Sequence, residues 1–378
     1  MVVALGYGLI VPLIPQFARS FGVSLFAATA VVSVFAGVRL ASNLVAGSLT
    51  DRIGTRQAVA WGALMVGASS LAIAAAPSYA VLVTVRGLGG FGSALFTNAL
   101  FTLVVTSVRA DRRGRAVGML QGAFLFGLAF GPSVGGLLAQ PLGLRWPFAI
   151  YGVFCAAAGL VAFGFLPQVH ASRGTPSEAS ARWAALGSLL QMCRDWAFVA
   201  ALMMTGSVRW VATGIRYGLV PLFGSEVVRA TPSVIGLSLT LAATAQLMFV
   251  WPSGKIADRF GRRALAGPGF VLFAVTVLAS AWATSVPAFL ALLALQGAST
   301  ALVSVAPAAI VGDVVPPERS GVGIGALNTA GDLGNVLGPL FSGWLAEQAG
   351  YSWAFGASAA LLLLSAAAAF RMRETLHP

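Results

Sequence analysis

The residues with the clearest chemical potential are charged side chains inside long apolar stretches. Asp332 lies about 11 residues into one stretch, with Asn328 four residues before it and Asn335 three residues after it. In a helix these three side chains share one face, near the middle of a membrane. Because a carboxylate held away from water is easier to protonate, we predict that Asp332 is the proton-coupling acid. The alternative is an acid permanently paired with an arginine.

Four arginines are also predicted to lie within the membrane. Hydroxyl or amide side chains lie at helical spacing from Arg39, Arg86 and Arg209, so each arginine is part of a polar stripe. The alternative for Arg39 and for Arg216 is that the side chain extends to the lipid headgroups. Four cations against one aspartate favour a cavity for anionic or neutral substrates. We assign six residues to a substrate cavity: Arg39, Asn43, Arg86, Arg209, Asn328 and Asn335.

The composition indicates a membrane protein. Of 378 residues, 58% are hydrophobic and 9% are charged, which excludes an ordinary soluble protein. Apolar stretches of about 17–25 residues recur, long enough for a helix to cross about 30 Å of hydrocarbon and too long for the strands of a barrel. We predict an all-α membrane protein with twelve transmembrane helices, near residues 2–18, 27–48, 57–76, 80–107, 117–139, 146–166, 196–222, 232–253, 265–284, 287–311, 321–346 and 351–370.

The chain contains an internal repeat. The ten residues Gly47–Arg56 recur 207 positions later as Gly254–Arg263 with five identities, and Gly131-Pro132 and Gly143 recur at the same offset as Gly338-Pro339 and Gly350. Repeated units in membrane chains are typical of transporters. We therefore predict two pseudo-symmetric six-helix bundles, residues 1–166 and 196–378, joined by a cytoplasmic linker at 167–195 that is rich in Pro, Ser and Arg.

The basic residues predict the orientation. With both termini in the cytoplasm, 16 of the 23 basic residues lie in inner loops and three lie in outer loops. We therefore predict a multi-pass protein of the cell (inner or plasma) membrane. Basic residues that flank the spans and contact membrane lipid explain the net charge of +12, so no nucleic-acid partner is expected. The first apolar stretch is short and has no basic leader, so we expect a longer natural N-terminus rather than a signal peptide.

Enzyme motifs in this chain are accidental. Gly87–Gly92 matches a dinucleotide fingerprint and Gly131–Gly135 a nucleophile elbow, but both lie in predicted membrane helices without the strand that such motifs need. Two cysteines and two histidines provide no metal site or disulfide framework. No phosphate-binding loop is present, so we expect no cofactor, no enzymatic activity and a proton gradient as the energy source.

Together the motifs resemble the major facilitator superfamily over essentially the whole chain. Gly47–Arg56 and its copy are similar to that family's signature between helices 2 and 3 and between helices 8 and 9, and Arg86-x-x-Gly89-x-x-Gly92 is similar to its fourth-helix motif. The fifth-helix motif of its proton-coupled drug exporters resembles Gly122 followed by Gly127, Gly131, Pro132, Gly135 and Gly136. The resemblance implies a pseudo-two-fold axis along the membrane normal and substrate binding between the halves.

The resemblance also implies roles for the loops and for the fifth helix. A sharp turn is expected at Gly54, Asp51 would latch the cytoplasmic side, and Asp258 would do so in the second copy. The alternative for the loops is a topology anchor held by arginines at the inner leaflet. The gating residues are Gly47, Asp51, Arg52, Gly54, Arg56, Gly254, Asp258, Arg259, Gly261 and Arg263. The glycine face of the fifth helix either seals the interface between halves or provides tight packing alone.

The leading functional hypothesis is efflux of a small molecule, a drug or a metabolite, by a monomeric proton-coupled antiporter that works by alternating access. One alternative is proton symport or facilitated uptake of a small metabolite, anions included, and a remote one is a membrane sensor without transport. Family resemblance favours drug export, whereas the surplus of arginines favours anionic or neutral substrates, and export of an acidic compound would satisfy both.

Overall fold

A computed structural model describes residues 2–109, 112–168, 187–316 and 319–375, and this part of the chain forms twelve long helices. Most of the predicted linker, at 169–186, lies outside the described residues. Residues 187–192 form a further short helix. The long helices are α1 (Val2–Ile10 and Leu13–Arg19), α2 (Leu25–Ile53), α3 (Thr55–Ala74), α4 (Tyr79–Ser107), α5 (Arg113–Leu142), α6 (Arg145–Phe165), α7 (Trp196–Glu226), α8 (Pro232–Phe260), α9 (Arg262–Trp282), α10 (Val286–Val314), α11 (Ser320–Ala349) and α12 (Tyr351–Arg371).

Ten of these helices are long and apolar enough to cross a membrane within the described residues. The other two are α1, which is interrupted at Val11 and Pro12, and α11, which is rich in glycine and carries Asp332 and its two asparagines. Proline lacks a backbone N–H, so an interruption at Pro12 costs fewer hydrogen bonds than elsewhere. The predicted all-α fold is confirmed.

Four glycines make the tight turns between consecutive helices. Gly54 (φ 84°), Gly143 (φ 88°), Gly261 (φ 101°) and Gly350 (φ 92°) adopt positive φ, where side chains are strained. The N–H of each donates to the carbonyl four residues earlier, which closes the preceding helix. Gly54 and Gly261, like Gly143 and Gly350, are partners in the repeat, so the turn predicted at Gly54 is confirmed and recurs.

The helices extend further than the apolar stretches predicted. The second predicted span, 27–48, is part of a helix that continues to Ile53, so the signature motif is helical except for the single-residue turn at Gly54. Hydropathy detects the part of a helix that contacts hydrocarbon and misses polar turns that project beyond it. Within α7, Val211–Leu219 is π-helical, which no pattern in the sequence indicated.

The chain divides into two compact units. The first consists of Met1–Gly174 with Arg229–Thr240, and the second of Thr175–Val228 with Leu241–Pro378. In the first unit, α3 packs against α4 through Gly62 and Gly92, where a Cβ at either position would crowd the backbone of the other helix. In a membrane the hydrophobic effect does not drive helices together, because lipid tails are as apolar as the side chains. Small residues help because they let the two backbones approach closely and gain van der Waals contact.

Candidate functional site

Asp332 lies half-buried on α11 in the second unit. Its Oδ1 accepts a hydrogen bond of 3.4 Å from Asn335 Nδ2, and Asp332 forms no ion pair with any residue that the structure describes. Asn328 is exposed and does not contact the carboxylate through a hydrogen bond. The structure thus joins two members of the predicted stripe and leaves the carboxylate without a permanent cation.

Arg209 lies on α7 against the glycines that flank Asp332 in sequence, and it forms no ion pair with Asp332. Helix α11 packs on α7 through glycines: a Cβ on Gly331 would come within 3.2 Å of Arg209 Cγ, and one on Gly334 would overlap the Gly206 carbonyl. Arg209 therefore neighbours the residue that precedes Asp332, and its side chain is exposed. Small residues thus let the backbones of α7 and α11 approach closely at the turn of α11 that carries Asp332.

Arg216 is a polar centre that the sequence analysis left out of the site. It is 5% exposed, its Nη1 donates to Gln246 Oε1 (3.2 Å), and its Nη2 donates to Thr300 Oγ1 (2.7 Å). The headgroup alternative is therefore wrong for Arg216. A usable signal was the run Gln296-x-x-Ser299-Thr300 within an apolar span, because polar residues there need partners.

Arg86 is the buried cation of the first unit. Its side chain is 4% exposed, and the guanidinium carbon lies 4.0 Å from the centre of the Phe35 ring. The Nε atom is buried without a hydrogen-bond partner among the described residues. The contact shown for the Arg86 guanidinium is thus a cation–π contact with Phe35.

The remaining cavity residues of the first unit lie on α2. Arg39 and Asn43 are half-buried, and Asn98 Nδ2 on α4 donates to the Asn43 carbonyl at 3.1 Å. A Cβ on Gly90 would lie 2.7 Å from the Phe35 carbonyl oxygen of α2, and one on Gly89 would lie 2.5 Å from Ser69 Oγ of α3. The glycines of the Gly87–Gly92 segment therefore pack α4 on α2 and α3.

The second signature copy is clamped by the C-terminal segment. Glu374 accepts hydrogen bonds from the backbone N–H groups of Arg262 (2.8 Å) and Arg263 (3.1 Å), and so caps the first turn of α9. The Arg262 guanidinium also bonds to Asp258 (2.9 Å) and Asp313 (3.2 Å). Asp258 therefore has a local partner, and the loop between α8 and α9 is tied to the end of α10.

Among the described residues, no acidic side chain is seen to bond to the first signature copy as Glu374 does to the second. Asp51 and Arg52 are exposed, and within the described ranges Asp51 has neither a hydrogen bond nor an ion pair. The nearest counterpart of the tail contact is Gln168, whose Nε2 donates to the Ile53 carbonyl at 2.8 Å. Asp51 is thus available for a partner in another state, as its predicted latch role requires, whereas Asp258 is already paired.

We expect Gly261→Ala to lower the unfolding temperature of the purified protein. Alanine at φ 101° is strained, which should cost about 1–3 kcal/mol of folding free energy. In addition, the new Cβ would overlap the Glu374 carboxylate. Gly254→Ala is the matched control, since it adds a Cβ in open space on a helix. Equal unfolding temperatures for the two variants would show that the tail contact does not stabilise the loop.

The fifth-helix motif presents two faces. A Cβ on Gly131 would lie 2.6 Å from Leu9 N, and one on Gly135 would overlap the Leu9 carbonyl, so this face packs on α1. The other face meets the start of α8: a Cβ on Gly136 would overlap the Pro232 carbonyl oxygen, and one on Gly236 would overlap the Pro132 carbonyl oxygen. Both contacts lie within the first unit, where Ser133 N also donates to Thr240 Oγ1 at 3.2 Å.

The motif segment of α5 resembles the start of α8 in sequence as well. Pro132-Ser-Val-Gly135-Gly136 and Pro232-Ser-Val-Ile-Gly236 share four of five residues. The two segments cross so that the glycine of each faces the proline carbonyl of the other. The predicted tight packing of Gly127, Gly131 and Gly135 thus concerns α1, while Pro132 and Gly136 contact α8.

Known proteins are similar to this chain over most of its length. The sequence model of the Major Facilitator Superfamily matches residues 1–229 and residues 207–378. An uncharacterised MFS-type transporter of Methanocaldococcus jannaschii is 22% identical over 92% of this chain and 89% of its own. A multidrug resistance efflux pump PmrA homologue of Lactococcus lactis is 25% identical (91% and 85% covered), and the human synaptic vesicular amine transporter is 24% identical (84% and 61%).

Solved structures share the fold. A bacterial homologue of the human lysosomal transporter Spinster, inward-facing and unoccupied, matches with a TM-score of 0.75 at 15% identity, covering 98% of this chain and 95% of that one. The peptide transporter POT matches with a TM-score of 0.79 at 14% identity (98% and 91%). Because the family match spans both repeats and the helices follow the fold of solved transporters, the chain belongs to the Major Facilitator Superfamily of multi-pass membrane transporters.

Proposed function

We propose that this transporter exports a small molecule in exchange for protons by alternating access, with Asp332 as the coupling acid. The observation that carries the proposal is the environment of this carboxylate: it is half-buried in a membrane helix, bonded only to Asn335, and unpaired with any described cation. An acid in such a place can be neutralised by a proton or by a cation that approaches it, and the two events exclude each other.

Arg209 is the cation best placed to compete with the proton. Its side chain lies against Gly331, next to Asp332 in sequence and on a helix that packs closely on its own. In this proposal Arg209 and a proton compete for the Asp332 carboxylate, so that Arg209 pairs with it in one state of the cycle and a proton occupies it in another. Substrate binding near these residues would couple to proton release by shifting this balance.

The relatives support export. The Lactococcus lactis relative is named a multidrug resistance efflux pump homologue. A Bacillus subtilis relative that is 25% identical is named multidrug resistance protein 2. Identities near 25% support a shared mechanism more than a shared substrate, because the substrate is set by a few side chains on a common fold.

The test is proton movement in inside-out vesicles. Vesicles with a preset pH gradient, acidic inside, are challenged with cationic, neutral and anionic compounds, and vesicles without the protein serve as the control. An exported compound should collapse the gradient only when the protein is present. A labelled compound that enters independently of the gradient would indicate facilitated uptake, and one that leaves with protons would indicate symport.

A further inference from the structure

Arg216 is a buried cation without an ionic partner. Its two hydrogen-bond acceptors, Gln246 Oε1 and Thr300 Oγ1, are both neutral, and its Nε is buried without any acceptor. A guanidinium carries five N–H donors, and the described residues satisfy two of them. Arg216 forms no ion pair with any acid in the described part of the chain, so its positive charge is uncompensated in this structure.

This charge lies near the middle of the membrane. Gln246 and Thr300 stand at the midpoints of the 29-residue spans α8 and α10, and both contact the Arg216 guanidinium directly. A charge at that depth lies beyond the lipid phosphates and is costly unless it faces a partner or a water-filled cavity. Membrane transporters bind their substrates at the same depth, so the charge stands where a ligand would arrive.

The surroundings of Arg216 contain a second unsatisfied polar group. Gln296 is fully buried one turn before Thr300, and its Nε2 donates to Ser280 Oγ at 2.7 Å while its Oε1 has no donor. Arg216 also lies within the π-helical segment Val211–Leu219, a rare geometry that occurs often at functional sites. Unsatisfied buried groups and π-helical turns both recur at functional sites, and here they occur together.

From these observations we infer that Arg216 binds the carboxylate of a small organic anion, which is the transported substrate. A carboxylate would take the place of the Gln246 amide oxygen, because a charged acceptor bonds to a guanidinium more strongly than a neutral one does. Gln246 is half-buried whereas Thr300 is buried, so Gln246 is the more exposed of the two partners. Arg86 differs because its guanidinium is covered by the Phe35 ring. The inference rests on the proposed transport function.

The experiment measures ligand binding by thermal unfolding of the full-length protein in detergent at neutral pH, without a gradient. Benzoate should raise the unfolding temperature of the wild type, whereas its neutral analogue benzamide should not. Arg216→Gln should weaken benzoate binding at least tenfold. Arg194→Gln removes an exposed charge outside the site, so its benzoate affinity should stay within twofold of that of the wild type.

A second variant keeps the inference testable if Arg216→Gln does not fold. Gln246→Glu places a carboxylate in the position that we assign to the ligand, so it should bond to Arg216, preserve folding and reduce benzoate binding at least tenfold. A purely structural arginine would give no difference in benzoate affinity between this variant and the wild type.

Three results would overturn the inference: equal binding of benzoate and benzamide, unchanged benzoate affinity in the variants, or stabilisation by chloride with none by benzoate. Proton coupling is tested separately in vesicles. Benzoate binding that depends on Arg216 in a protein that moves no protons would overturn the proposed antiport and leave this site intact. Gradient collapse by cationic compounds alone would overturn this site and leave antiport intact.

Discussion

Replacing Asp332 with asparagine is expected to abolish substrate-driven proton release while the protein still folds and binds substrate. Asparagine has nearly the same shape as a protonated aspartate, and its oxygen can still accept the hydrogen bond from Asn335. It cannot ionise, so Arg209 has no anion to compete for. The collapse of a preset pH gradient in inside-out vesicles should fall at least tenfold, close to the rate in vesicles without the protein.

Exchange of labelled for unlabelled substrate separates a coupling defect from a folding defect. This exchange needs no net proton movement, so Asp332→Asn should retain it. Glu347→Gln is the control, because it removes an exposed negative charge near the C-terminal end of the same helix, about four turns from Asp332. This variant should leave proton release unchanged. Proton release of wild-type size in Asp332→Asn would assign the coupling to another group.

The sequence predicted those features that the membrane itself imposes. Backbone groups in hydrocarbon must bond within their own segment, so each long apolar stretch had to be a helix and could be recognised by length. Gly54 and Gly261 were predictable as turns because a short connection between long helices leaves few conformations, and positive φ selects glycine. The family resemblance, now confirmed, rested on these same positions.

The partners of the charged residues could not be predicted in the same way. Arg216 meets Gln246 and Thr300 from two other helices, and its direction depends on the π-helical turn, which rotates side chains away from the positions of a regular helix. The clamp joins Glu374 in the C-terminal tail to Arg262, more than 100 positions earlier in the chain. In the sequence, the arginines of this tail indicated only which side of the membrane it lies on. Periodicity places a residue on a face but does not identify what packs against it.

The second large effect is a loss of stability when single glycines of α5 are replaced by alanine. Its size should depend on what the added methyl group meets. Gly135→Ala would push a Cβ into the Leu9 carbonyl of α1, and Gly136→Ala would push one into the Pro232 carbonyl of α8. Backbone atoms cannot move aside as flexible side chains do, so each substitution should cost about 1–3 kcal/mol of stability. Gly122→Ala, on the same helix with open space around it, should be neutral or stabilising.

Transport should distinguish the two faces of α5. Helices α1 and α5 both belong to the predicted first six-helix bundle, and in alternating access bundles move largely as rigid bodies. Gly135→Ala should therefore lower the unfolding temperature and transport together. The α8 contact involves the motif that the family resemblance connects with sealing, so Gly136→Ala should reduce transport more strongly than its loss of stability explains. Measurement of unfolding temperature and gradient collapse for all three variants decides this. If Gly136→Ala transports in proportion to its folded fraction, the crossing of α5 and α8 is packing alone, and the seal must lie elsewhere.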